Sequence, residues 1–181
     1  MGIGREVPAD LTVSARIDEP AISDDGRTTS TPGSVGRAQN KEFWQRFIAC
    51  SRFDHPDQTP PRHGGNNYVR LDLPGPVTGM VAYRTADGQA GFVMKFTGPE
   101  GRDFMQALLE DQASLESEVG QPIRFDIGDT TAESDRVVGA MLVDYRPNEG
   151  ADLAAEQLSW LLKTGNALVN ALRPRLGTTS A

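Results

Sequence analysis

From Asn40 onward the apolar residues fall into two spacings that alternate along the chain. Phe43, Trp44, Phe47, Ile48 and Cys50 recur at three- and four-residue steps, which predicts a helix over 41–53 with Asn40 as its N-cap. Residues 54–66 hold three prolines and two glycines, so the helix cannot continue and a long loop is expected. Three runs with strand-like patterning follow at 67–73, 77–85 and 89–96, separated by Pro74-Gly75-Pro76 and by Ala86-Asp87-Gly88. The Asp-Gly pair is a strong hairpin signal. A second helix opens at Gly98-Pro99-Glu100, carries Phe104, Leu108, Leu115 and Val119 on one stripe, and stops at Gly120. Two more strands, 123–127 and 137–145, precede a long helix over 151–173 with Leu153, Leu158, Leu161, Leu162, Leu168 and Leu172 at helical spacing and Gly165 as a point of bending.

The order α-βββ-α-ββ-α predicts an α+β fold: a mixed or antiparallel five-strand sheet packed by helices, because consecutive strands argue against a doubly wound parallel sheet. The domain is expected over 40–174. Residues 1–39 read as a mostly disordered tail, being poor in apolar positions, except that Leu11 to Ile17 alternates as a short edge strand would. Residues 175–181 read as a disordered C-terminus.

Composition narrows the class without changing this picture. The 181 residues are 38% hydrophobic and 24% charged, ordinary for a globular protein. The longest charge-free apolar run, Val137 to Val143, is far shorter than a membrane span, so no membrane association is expected. No secretory signal is evident and Cys50 stands alone, so a cytoplasmic chain without disulfides is expected. Eighteen Lys and Arg against 25 Asp and Glu give a net charge of -7, which opposes long-range attraction to phosphate or anionic lipid but permits a local basic face.

The motifs of common chemistries are missing. There is no phosphate-binding Gly-x4-Gly-Lys, no Gly-x-Gly-x-x-Gly and no Gly-x-Ser-x-Gly. None of the three lysines, Lys41, Lys95 and Lys163, follows an acid two residues earlier, as a metal-dependent nuclease of the restriction type requires. His55 and His63 share the proline-rich loop with Asp54 and Asp57, but their spacing matches no metal motif, and a solvated loop is the simpler reading. No catalytic residue, metal or cofactor is therefore assigned. Trp44 and Trp160 fall on apolar helix stripes and read as core. On the meander, Arg70 points away from Val69 and Leu71. Counting parity on the other strands adds Arg84, Lys95 and Arg124 to a candidate face for nucleic acid or an acidic partner.

Glu42-Phe43-Trp44, the loop into Asn67-Tyr68-Val69, the segment Leu115 to Gly120 and Leu158-Ser159-Trp160-Leu161 together resemble a bacterial and archaeal domain, domain of unknown function 4268, over residues 40–174. Leu11 to Pro20 is similar to a strand-like segment that precedes this domain in longer members. Such domains often lie C-terminal to nuclease-like regions, which implies an accessory role in restriction or defence systems and supplies no catalytic residues. The expectation is thus a non-catalytic interaction module with a protein partner or a second copy of itself, contacted through the aromatic-bearing first and last helices. The alternative is nucleic-acid binding on Arg70, Arg84, Lys95 and Arg124.

Overall fold

A computed structural model describes residues 33–65, 67–75, 77–85, 89–128, 137–146 and 153–177. The chain divides into Met1–Ser30 and Thr31–Ala181, and every described residue belongs to the second unit. Residues 1–32 of the expected tail, with its strand at 11–17, the Asp87-Gly88 turn and the last four residues lie outside the described residues, whereas residues 33–39, expected to be part of the disordered tail, are helical.

The elements are α1 (Gly33–Cys50), β1 (Arg62–His63), β2 (Tyr68–Leu71), β3 (Val77–Arg84), β4 (Ala90–Thr97), α2 (Gly98–Glu110), α3 (Gln112–Val119), β5 (Arg124–Ile127), β6 (Val137–Asp144) and α4 (Leu153–Gly177). The fold is α+β. Six strands form one antiparallel sheet in the order β1-β2-β3-β4-β6-β5. The chain leaves β4 through α2 and α3, makes β5 at the sheet edge, and returns along β6 to pair with β4.

Strict alternation decides what each strand buries. Val69, Leu71, Met80, Ala82, Phe92, Met94, Phe96, Met141 and Val143 are sealed on one face, and the register places them opposite one another: Leu71 against Met80, Met80 against Met94, Met94 against Met141. The helices lie on that same face. The Phe96 and Phe104 rings stand 6.2 Å apart, Phe92 and Trp160 6.0 Å apart. Gly165 of α4 approaches Phe92 so closely that an added Cβ would stand 3.0 Å from its ring, so the glycine that costs the helix propensity serves close packing on the sheet. Trp44 is fully buried between Phe43 and Phe47, which meet it edge-on.

Local chemistry fixes the ends. Pro99 and Glu100 in the first turn of α2 suit a missing N–H and a positive helix terminus. Gly120 closes α3 in the left-handed conformation, φ 69°, with its N–H on the Glu116 carbonyl. Glu116 and Gln112 then reach past the cap: Ile123 N–H donates to Glu116 Oε1 and Gln112 Nε2 donates to the Ile123 carbonyl, both at 2.8 Å.

The elements differ from the sequence reading in several places, and the first helix stops at Cys50 rather than at residue 53. α1 begins at Gly33, so Asn40 is not a cap but an inward-facing residue within the helix. The second helix is divided at Asp111. The loop contributes β1, a sixth strand too short to show periodicity. α4 runs through Pro174 to Gly177, anchored by buried Leu176 and by Arg175, which grips Asp111 (2.6 Å) and Glu118 (2.7 Å) on the neighbouring helix. No helix of the described residues is long and apolar enough to cross a membrane.

Candidate recognition surface

Because the four helices cover one side, the opposite side of the sheet is the face on which polar residues collect. Register carries the rows across the strands: Arg62 lies opposite Arg70, Arg70 opposite Val81, Val81 opposite Val93, Val93 opposite Leu142, and Leu142 opposite Arg124. Lys95 lies opposite Ala140, and Ala140 opposite Asp126. The result is a half-exposed apolar stripe, Val81, Val93 and Leu142, rimmed by charge.

Two of the rim cations are already neutralised. Arg62 pairs with Asp72 at 2.8 Å, which raises its pKa, and Arg124 pairs with Asp144 at 3.2 Å. Asp144 also accepts the Tyr83 hydroxyl at 2.7 Å, and burial followed by this carboxylate holds the phenol well above the ordinary tyrosine range. Arg70 and Lys95 have no carboxylate partner among the described residues; Arg70 lies 5.9 Å from the Tyr68 ring centre.

Between Arg70 and Lys95 the surface dips into a depression of about 160 Å³ lined also by Gly79, Met80, Val81 and Val93. The dip coincides with an irregularity of β3, where the register shifts between Val77 and Met80. Gly79 adopts φ 101°, and a Cβ there would come within 2.9 Å of the Leu71 carbonyl oxygen, so only glycine fits this bulge without strain.

Arg70, Lys95 and Arg124 are thus brought to one face, as parity counting expects. Arg84 is not. It shares the parity of Met80 and Ala82 and projects to the helix-covered side, where its guanidinium packs over Phe43 at 4.5 Å and donates to Gln157 Oε1 (2.7 Å) and Asn40 Oδ1 (2.8 Å). Burial lowers its pKa. The count goes astray because an arginine at a strand end can bury its stem and still satisfy its head group with helix amides. Parity counting also missed Arg62, hidden in a loop without periodicity, and the apolar stripe, which reads as ordinary strand composition.

The other candidate residues separate from this face. The loop is not merely solvated: Asp54 N–H donates to Asn166 Oδ1, Asn166 and Asn170 donate to Asp54 Oδ2, and Arg173 donates to Gln58 and to the Asp57 carbonyl, so residues 54–58 are strapped along α4. His55 Nδ1 accepts the Asp57 N–H at 3.2 Å, whereas His63 sits exposed on β1. No group of three metal-ligating side chains occurs among the described residues. The aromatic residues expected to offer a contact face on the first and last helices are instead spent inside: Phe43, Trp44 and Phe47 are buried, and Trp160 packs on Phe92 and Tyr145.

Comparison with protein-family models, with curated proteins and with solved structures finds no match to this chain. The reading of the surface accordingly rests on its own geometry.

Proposed function

We propose that this chain is a non-catalytic recognition module that engages an acidic protein segment through the open face of its sheet. The observation that carries the reading is the juxtaposition of Arg70 and Lys95, without carboxylate partners among the described residues, with the half-exposed stripe of Val81 and Val93. Uncompensated cations beside apolar surface favour a partner that brings carboxylates and one or two apolar side chains. A phosphate backbone is the poorer complement. Arg62, Arg70, Lys95 and Arg124 share the face with Asp72, Asp126 and Asp144, a surplus of one positive charge, on a chain of net charge -7. An accessory place beside a nuclease-like protein in a restriction or defence system is the setting that the family resemblance implies for such a module.

The test is affinity capture with the full chain as bait, run with and without nuclease, comparing wild type with the Arg70→Glu/Lys95→Glu double variant. A protein recovered after nuclease treatment by wild type and lost by the variant is the expected result. Recovery that vanishes with nuclease transfers the reading to nucleic acid, and a partner retained equally by the variant places the contact elsewhere.

A further inference from the structure

The depression between Arg70 and Lys95 has a geometry that specifies more than net charge. Arg70 stands on β2 opposite Val81, and Val81 faces Val93 on β4; Lys95 is two residues further along β4, beside the bulge. With strands about 4.8 Å apart and about 3.4 Å per residue, the Cα positions of Arg70 and Lys95 are separated by about 10 Å across the sheet and about 7 Å along it, a diagonal of about 12 Å. In an extended chain residues i, i+2 and i+4 point the same way, and i and i+4 are about 13 Å apart. Between the two positions Val81 and Val93 present apolar side chains, and Gly79 and Met80, whose own side chain is sealed on the covered face, complete a depression of about 160 Å³.

We infer that this site reads an extended segment of the pattern acidic-x-apolar-x-acidic, the apolar side chain seated over the Gly79 bulge and the two carboxylates meeting Arg70 and Lys95. The inference rests on the proposed recognition role of the open face and names its ligand. Each part has a distinct job. The bulge supplies the dip, because Gly79 projects no side chain into it. The half-exposed valines supply the apolar floor. The cations select acids at two fixed positions, and Asp72, Asp126 and Asp144 around them disfavour a segment that places acids elsewhere.

Binding of labelled peptides to the full chain tests this directly. Gly-Glu-Ser-Leu-Ser-Glu-Gly should bind. Replacing its leucine by serine should weaken binding about tenfold, since a buried leucine is the largest apolar contribution available. Replacing either glutamate by glutamine should weaken it about two- to fivefold, the range of an exposed ion pair. Moving the acids inward, Gly-Ser-Glu-Leu-Glu-Ser-Gly, turns them to the opposite side of the extended chain and should cost as much as removing both. The variants Arg70→Gln and Lys95→Gln should each cancel sensitivity to one glutamate and leave sensitivity to the other. Equal binding of the two spacings overturns the motif. Failure of both peptides while capture still depends on the double charge reversal also removes the motif and leaves the recognition face standing. Failure of both peptides together with capture indifferent to the reversal removes the face as well.

Discussion

On the helix-covered side of the sheet Phe92, Met94 and Met141 are sealed from water; one residue away along the same strands, Val93, Lys95 and Leu142 remain half-exposed or exposed. The backbone is common to both sides, so the difference lies in what the side chains meet. Among the described residues the covered side is dominated by apolar side chains, and at its margin Arg84 finds Asn40 and Gln157. The open side interleaves cations with carboxylates and leaves Arg70 and Lys95 without carboxylate partners among the described residues, beside a half-exposed strip of valine. Stability is thereby concentrated on one face and the proposed recognition role falls on the other, so the two should respond to mutation independently.

The sharpest way to break that division is on the covered side. Phe92→Ala leaves a cavity against Gly165 and Trp160 and should lower unfolding stability by about 3–5 kcal/mol in chemical denaturation. A loss under about 1 kcal/mol would mean that this side is not the core.

A smaller effect is expected where helices meet. Arg175→Met cuts α4 from Asp111 and Glu118 and should cost about 1 kcal/mol, because both carboxylates remain partly solvated. The same contact sets a pH dependence. Arg175 holds Glu118 below the usual glutamate range, and hydrogen bonds from the Ile123 N–H and Gln112 do the same for Glu116. A depressed carboxylate stabilises the fold above its unfolded pKa and loses that contribution as pH falls through the folded one. Stability should therefore decline on the acid side of the ordinary glutamate pKa, and Arg175→Met should make that decline shallower. Parallel acid limbs in wild type and variant would show that the ion pair is not felt.

The smallest stability change belongs to the open face. Arg70→Gln/Lys95→Gln removes two charges without carboxylate partners among the described residues and should leave stability within about 0.5 kcal/mol of wild type, read by the same denaturation. A large loss would show these residues to be structural and the two faces to be coupled.

How much of this could be read in the sequence follows from where periodicity exists. The strands at 67–73, 77–85 and 89–96 were legible from their apolar, β-branched and aromatic runs bounded by turn residues, and five of the six strands were placed within three residues. The helix pattern of Phe104, Leu108 and Leu115 continues across Asp111, so the division between α2 and α3 was hidden. The strap of residues 54–58 on α4 depends on Asn166, Asn170 and Arg173, more than 100 residues away in sequence, and no local rule pairs them. Three of the four candidate basic residues, Arg70, Lys95 and Arg124, were legible by parity. Arg84 was not, because its partners come from α1 and α4. The depression could not be read at all, since Gly79 looks like any glycine until the register shift around it is known.

The central claim, that the uncovered face is the recognition surface, is tested most directly by mapping amide chemical shifts of the full chain as the Gly-Glu-Ser-Leu-Ser-Glu-Gly peptide is added. The account predicts saturable changes that centre on Arg70, Gly79, Val81, Val93 and Lys95 and leave the outer surfaces of α1 and α4 unmoved. Saturable changes centred on the helices, with those five residues unmoved, would contradict it.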